Sequence, residues 1–135
     1  MSTFRFRLSE QYEELPSAGY YPGTIVSAQC RRSSRGNPML QVSSELDEVV
    51  EAYSKVADYF VLEGVSEQGA ATARRRLAEL CRAAGLDPYA GEVVTEELVG
   101  ARVEVRVDHD QYGDQPRLRV VGYREAGLWE VATRG

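Results

Sequence analysis

The chain has 135 residues, and its 21 acidic and 16 basic side chains give a formal net charge of −5 at pH 7. The hydrophobic share of 43% and the charged share of 27% are ordinary for a soluble globular protein. The negative charge argues against a protein that binds polyanions over its whole surface, because its long-range field repels them. At this length we expect one domain over residues 1–135, with an N-terminal arm over 1–19 and a C-terminal tail over 125–135.

Hydropathy and cysteine content predict a cytoplasmic protein with no membrane partner. The sequence has no run of about 18 apolar residues that could cross a membrane, and no apolar signal-peptide core near its first residue. Cys30 and Cys81 suit a compartment in which thiols stay reduced. Each falls at an inward position of its predicted element, so we interpret both as small buried side chains. Neither has a second Cys or His at metal-ligand spacing, and we expect no metal and no cofactor.

The first two elements are predicted to form a long β-hairpin. Residues 20–32 alternate like a strand, and the inner face carries Val26, Ala28 and Cys30. The turn Gly36-Asn37-Pro38 leads to a second strand. The inward residues of that strand are Leu40, Val42 and Leu46. The segment 47–54 that follows either continues a strand or forms a turn.

Residues 55–62 predict a third strand, which is apolar on both faces and rich in β formers. The clearest element is the helix that follows, with Ser66 as its N-cap and Gly85 as its stop. Its apolar stripe has helical spacing and consists of Ala70, Ala73, Leu77, Leu80, Cys81 and Ala84. A single helical turn over residues 96–99 is expected, with Thr95 as its cap.

The fourth strand has the cleanest alternation in the chain, with Val103, Val105 and Val107 inward. The charged residues between them are expected to face outward: Arg102, Glu104, Arg106 and Asp108. A turn over 111–115 leads to a fifth strand over 116–123. The order β-β-β-α-β-β suits a mostly β, five-stranded OB-type barrel whose helix between strands 3 and 4 plugs the barrel end. An α+β sandwich of another topology stays open.

A positively charged loop on this acidic chain is the first candidate for a binding site. In OB folds, ligands lie over strands 2 and 3, between the 1–2 and 4–5 loops. Guanidinium groups there can contact phosphates, and aromatic rings can stack on bases. The candidate nucleic-acid-binding residues are Arg31, Arg32 and Arg35 in the first loop, Tyr59 on strand 3, Tyr112 in the second loop, and Arg117 and Arg119 on strand 5.

Each candidate also has a structural interpretation that the sequence leaves open. Tyr59 could belong to the core, because the third strand is apolar on both faces. Arginines at a hairpin tip are often simply solvated, and Tyr112 could serve the Tyr-Gly turn in which it stands.

Two further charged clusters are interpreted as structural. The run Arg74-Arg75-Arg76 is interpreted as part of a solvated helix face: Arg75 points to solvent, where Glu79 can pair with it, and Arg74 and Arg76 flank the apolar stripe. Asp108-His109-Asp110 is expected to be an incidental loop cluster, because its spacing does not match a Ca²⁺ loop. The sequence also lacks a Gly-rich phosphate loop, a G-x-S-x-G motif and a His partner for a cysteine nucleophile. We therefore expect a binding protein and not an enzyme.

Five segments, in order along the chain, resemble a group of phage and prophage proteins that were long classed as of unknown function and are thought to be OB-fold single-stranded DNA-binding proteins. The segments are Leu15-Pro16 with Gly19-Tyr20, residues 33–40, 58–62, 80–87 and 97–103. A basic residue followed by Gly-Asn-Pro-Met, at 35–39, is the most distinctive of these motifs. The resemblance implies an OB fold and a role in phage replication or recombination. Family members commonly have lysines in the 1–2 loop, where this chain has arginines.

The leading hypothesis is a protein that binds single-stranded DNA with little sequence preference, in phage replication or recombination. Phage replication or recombination proteins would be further partners. The alternative is a protein-interaction module of such a complex that does not touch DNA. A steep fall of affinity with salt would distinguish DNA binding from the alternative. The sequence does not determine whether the chain forms a homo-oligomer.

Overall fold

The computed structural model describes residues 15–89, 92, 94–112 and 115–126, without the side chains of Tyr112 and Gln115. Most of the predicted arm and of the predicted tail lie outside these ranges. The described chain is mostly β. Its elements are β1 (Gly19–Arg32), β2 (Pro38–Leu46), the one-turn helix α1 (Glu51–Ser54), β3 (Lys55–Val61), the helix α2 (Glu67–Ala83), a 3-10 helix (Thr95–Glu97), β4 (Arg102–Tyr112) and β5 (Gln115–Glu125).

All five strands belong to one antiparallel sheet, in the order β3-β2-β1-β4-β5. Strand β1 joins the two halves of the sheet, because residues 19–24 pair with β4 and residues 23–32 pair with β2. The two ladders overlap at Gly23 and Thr24. A Cβ at Gly23 would lie 2.8 Å from the carbonyl oxygen of Glu45. A side chain at this position would push β2 away, so the glycine permits the change of partner.

A β-bulge in β1 makes part of the predicted inner face wrong. The register shifts between Ile25 and Ser27, so Val26 is the extra residue. Ile25 is fully buried and Val26 is 43% exposed, which is the reverse of the prediction, while Ala28 packs against the core. Cys30 stands opposite Leu40 but is exposed, so the prediction that both cysteines are buried holds for Cys81 and is wrong for Cys30.

The inner faces of β2 and β4 and the central helix are as predicted. The buried residues include Leu40, Val42, Leu46, Val103, Val105, Val107, Leu80 and Cys81. The Ser66 hydroxyl caps α2 by accepting the N–H of Gly69 at 3.0 Å, and Gly85 ends it with a φ of +83°. Within the described ranges, neither α1 nor α2 is both long and apolar enough to cross a membrane.

Two details near β4 correct the sequence analysis. Thr95 lies inside the 3-10 helix and does not cap it; the residue before the helix is Val94. Glu104, which was expected to face solvent, is only 4% exposed. Its carboxylate accepts the Nε–H of Arg124 at 2.6 Å, and the Arg124 guanidinium covers the ring of Tyr20 at 3.8 Å. The pairing compensates the cost of burying the charge.

The sheet remains open between its two edge strands. β3 and β5 lie beside one another and α2 packs against both, but in the described residues no backbone ladder joins the two strands. The five antiparallel strands and the helix between β3 and β4 agree with the prediction. In the described residues, the backbone hydrogen bonds do not close the sheet into an OB-type barrel.

The β1–β2 loop is folded against the loop that follows β3. The N–H of Ser33 donates to the carbonyl of Asn37, and the N–H of Gly36 donates to the carbonyl of Ser33, both at 2.8 Å. Gly36 and Gly64 have φ values of +82° and +77°, in the left-handed region that favours glycine. A Cβ at Gly64 would overlap the side-chain amide of Asn37, whereas a Cβ at Gly36 would meet no atom within 4 Å. The Gly-Asn part of the loop motif therefore has a structural role.

This difference between the two glycines predicts their effects on stability. Gly36→Ala should lower the free energy of unfolding by about 1–2 kcal/mol through backbone strain alone. Gly64→Ala should lower the free energy of unfolding by the same amount and by about 1 kcal/mol more, because the new methyl group displaces the Asn37 amide. Urea unfolding measures both values. In an Asn37→Ala background the two substitutions should lower the free energy of unfolding equally. A difference that persists there would contradict the proposed contact between the new methyl group at position 64 and the Asn37 amide.

Candidate functional site

A cleft of about 500 Å³ lies between β3 and β5, and we call it the edge cleft. Residues 57–59 of β3 form one wall, and residues 117–121 of β5 form the other. Arg76 of α2 completes the lining. The edge cleft brings together three of the residues predicted from the sequence, Tyr59, Arg117 and Arg119.

Beside the edge cleft, a buried carboxylate ties β3 to the helix and to β5. Asp58 points inward from β3 between Val56 and Phe60 and is 6% exposed. Its Oδ2 atom accepts hydrogen bonds from the Arg76 guanidinium at 2.5 Å and from the Tyr123 hydroxyl at 2.9 Å. Burial alone would lower the pKa of Arg76, but the hydrogen bond and charge of Asp58 outweigh it and raise this pKa.

The phenol of Tyr123 is the third member of this network. Burial, with a smaller contribution from the Asp58 charge, raises the pKa of Tyr123 well above its ordinary value of 10.0. The phenol therefore stays protonated and donates to the carboxylate. The network corrects the interpretation of the basic run for Arg76 alone, which turns towards Asp58 and lies over the Phe60 ring at 5.0 Å. Arg74 and Arg75 are exposed, as expected.

Carboxylates also cap backbone amides of the two edge strands. The N–H of Tyr59 donates to Asp58 Oδ1 at 2.9 Å, and the N–H of Tyr123 donates to Glu79 Oε1 at 3.0 Å. A Cβ at Gly122 would lie 3.1 Å from that Glu79 oxygen, so the glycine leaves room for the cap. The partner of Glu79 is thus β5 and not the predicted Arg75. Capped amides cannot pair with an added strand, which protects the edges at these two positions.

The outer rim of the edge cleft carries one aromatic ring and two guanidinium groups. Tyr59 is 50% exposed on the outer side of β3, so the alternative that places it in the core is wrong. Arg117 and Arg119 are exposed on β5, where the intervening Leu118 packs against the core. Their common outward direction agrees with the sequence analysis.

Acidic residues of β4 stand opposite both rim arginines. Asp110 faces Arg117 in the ladder and pairs with it at 3.3 Å, and Asp108 faces Arg119. The backbone N–H of Gln111, and then the guanidinium of Arg117, lower the pKa of Asp110 below its usual range. The positive charge of the rim is therefore partly compensated.

The Asp-His-Asp segment lies within β4, which corrects the expectation of a loop cluster. Asp108 accepts the backbone N–H of His109 at 2.8 Å, and His109 Nε2 lies 2.7 Å from the carbonyl oxygen of Pro16. In the described part of the chain, no group of three or more His, Cys, Asp and Glu side chains could hold a metal ion.

The loop arginines do not line the edge cleft within the part of the chain that the structure describes. Arg31 donates to Gln29 Oε1 at 3.0 Å, and Arg32 donates to the carbonyl of Gly36 at 2.7 Å. Arg35 is exposed in the turn. Arg31 shares the outer face of the sheet with Tyr59. Arg31 stands opposite Met39 of β2, Met39 stands opposite Val61 of β3, and Val61 lies two residues from Tyr59 on the same face. Tyr112 ends β4, and its side chain lies outside the described residues.

Sequence reasoning missed Arg76 and Lys55 as residues next to the site. Arg76 was hidden in a basic run, although an aspartate at an inward strand position signals that a cation must pack against it. Lys55 lies in a depression of about 330 Å³ that adjoins the edge cleft, which we call the Lys55 depression. No sequence signal places a lone lysine beside a residue of another strand.

The chain matches no protein-family model, and no curated protein matches it either. The resemblance to the phage family therefore stays a prediction from the sequence segments that carry it. The interpretation of the edge cleft depends on its geometry and charge.

The Asp58 network predicts a pH-dependent effect on stability. Tyr123→Phe should lower the free energy of unfolding at pH 7 by about 1.5–3 kcal/mol, because a buried carboxylate loses a donor. The raised pKa of Tyr123 means that the unfolded chain releases the phenolic proton first. The stability that it contributes is therefore complete below about pH 10 and declines above it.

Urea unfolding between neutral pH and about pH 11 tests this expectation. Wild type should lose stability more steeply than Tyr123→Phe above about pH 10. Burial also raises the pKa of the Cys81 thiol, but it does so in wild type and in Tyr123→Phe alike. The difference in stability between the two proteins at each pH therefore reports the Tyr123 phenol alone. Tyr59→Phe, at an exposed tyrosine, is the control and should change stability by less than about 0.5 kcal/mol. Parallel pH profiles of wild type and Tyr123→Phe would refute the network's role.

Proposed function

We propose that this chain binds single-stranded DNA with little sequence preference, and that the edge cleft is the centre of the binding surface. The observation that carries the proposal is the exposed ring of Tyr59 beside the guanidinium groups of Arg117 and Arg119. Proteins that bind single strands combine cations, which follow the phosphates, with aromatic rings, on which bases of any kind can stack. Such stacking does not distinguish bases, so it favours binding without sequence preference.

The charge distribution favours a single strand over a duplex. The chain carries a net charge of −5, and Asp108 and Asp110 partly compensate the rim arginines. A duplex has a high density of phosphate charge and is bound by broad basic surfaces. A single strand has unstacked bases that a narrow cleft with one exposed ring can take up.

We further propose that the sheet is an OB-type barrel whose open side is the edge cleft. The shared strand β1, the order β3-β2-β1-β4-β5 and the helix packed against both edges support this interpretation. Arg31, on the same outer face as Tyr59, and Arg35, at the loop tip, would contact phosphates outside the cleft. Arg32 would stabilise the loop through its hydrogen bond to the Gly36 carbonyl. For Tyr112, the stacking role stays a prediction from the sequence. A role in phage replication or recombination rests on the sequence resemblance.

A protein-interaction module remains the second candidate. Two edge strands face each other without a ladder between them, which is an arrangement that an added strand of a partner could use. The capped amides of Tyr59 and Tyr123 weigh against such an addition, because they have no free donor for a partner. This difference makes DNA the favoured ligand.

Fluorescence anisotropy with labelled oligo-dT at low salt tests the proposal. Tyr59→Ala should weaken binding about 5- to 150-fold through loss of stacking. The double variant Arg117→Ala/Arg119→Ala should reduce the slope of log K against log[salt] by about 1.4, since each lost phosphate contact to a single strand accounts for about 0.7.

The matched control is Arg74→Ala/Arg75→Ala, which removes the same charge from exposed positions of α2. It should leave the salt slope unchanged, and Tyr59→Phe should keep most of the affinity. Circular dichroism confirms that each variant is folded. A folded wild-type chain that binds no oligo-dT at low salt would disprove the function, and equal effects of the two double variants would disprove the site.

A further inference from the structure

The Lys55 depression adjoins the edge cleft. The two share the lining residues Ala57, Tyr59, Arg117 and Leu118. The Lys55 depression adds Ala52, Tyr53, Lys55 and Val56 to the lining. Resting on the proposed function, we propose that the bound single strand passes over Tyr59 into this depression, and that Lys55 binds a phosphate group there.

The spacing along β3 suits a continuous strand of nucleic acid. Lys55, Ala57 and Tyr59 alternate with the buried residues of β3, so all three face outward. Lys55 and Tyr59 are four positions apart, which corresponds to about 13 Å along an extended strand. One strand of double-stranded DNA advances about 3.4 Å per nucleotide, and an unstacked single strand can extend further per nucleotide, so about four nucleotides are enough to cover this distance. The two side chains therefore lie within reach of one oligonucleotide of about four nucleotides.

The exposure of Lys55 and its lack of an ion pair in the described ranges also suit a phosphate contact. Lys55 is exposed, and within the described ranges it forms no ion pair, whereas Arg76 and Arg117 each pair with an aspartate. Glu45 faces it across the β2–β3 ladder and is itself exposed to solvent. An ammonium group on a flexible stem can bind a phosphate from many directions, so the depression needs no fixed geometry. Tyr53 adds an aromatic side chain to the same lining.

The chain's single lysine gives a direct readout of this contact. The wild-type chain is acetylated with and without saturating oligo-dT of about 4 and about 12 nucleotides, within the site sizes of OB domains. Mass spectrometry then measures modification of Lys55. Both oligonucleotides should slow acetylation of Lys55 several-fold, because about four nucleotides already reach from Tyr59 to Lys55, and high salt should restore the rate. Polyglutamate at equal charge is the comparison and should protect Lys55 less.

Anisotropy with the longer oligonucleotide tests the same contact through salt. Lys55→Gln should lower the salt slope by about 0.7, and Lys55→Arg, which keeps the charge, should retain the wild-type slope. Suppose that oligo-dT binds but does not slow acetylation of Lys55, and that Lys55→Gln has the same salt slope as wild type. This inference is then overturned and the proposed function stands. Stronger protection by polyglutamate would assign the depression to acidic peptides instead. Absence of any binding by the folded chain would overturn both proposals.

Discussion

The arrangement of the edge strands depends on the pairing of one buried carboxylate. Asp58 points into the core from β3, and desolvating its charge costs several kcal/mol unless donors surround it. The donors come from Arg76 of α2 and Tyr123 of β5, which are 18 and 65 residues away in the sequence. Side-chain bonds thus hold β3, α2 and β5 together where no backbone ladder does so in the described chain. Because side chains span more distance than a ladder, a cleft remains between the strands.

Pairing with carboxylates determines which basic groups are available to a ligand. Glu104 and Asp58 neutralise Arg124 and Arg76, and Asp47 binds Arg102 through both of its oxygens. Such pairs contribute to the fold and offer little charge to a ligand. The rim of the edge cleft adds Arg117, whose side chain is 54% exposed although it pairs with Asp110, and the exposed Arg119. These are the groups on which our proposed function depends. An acidic protein can in this way present a locally positive surface without a basic overall composition.

Regular hydrophobic periods made β2, β4 and α2 predictable. Where the period is interrupted, prediction fails for an identifiable reason. The bulge at Val26 moves one residue out of alternation, which exposes a valine that was expected inside. Glu104 is buried where Pro22 of β1 and Arg124 of β5 stand on either side of it in the sheet, contacts that a single strand's pattern does not contain. The Arg76–Asp58 pair likewise depends on two elements that meet only in the folded chain.

For the candidate site, local patterning placed Arg117 and Arg119 on one face of β5, because alternation depends on neighbouring residues alone. It left Tyr59 undecided between core and surface, because β3 is apolar on both faces. It also located the charged hairpin tip. Which of these side chains share a cleft is a property of strand order, since β3 and β5 meet through the curvature of the sheet and the Asp58 network. The same long-range packing turns Arg76 inward and brings Lys55 next to Arg117. Sequence therefore determines the direction of side chains where a strand or helix keeps its regular period. The folded sheet determines the exceptions, at the β1 bulge and at Glu104, and it determines which side chains can act on one ligand.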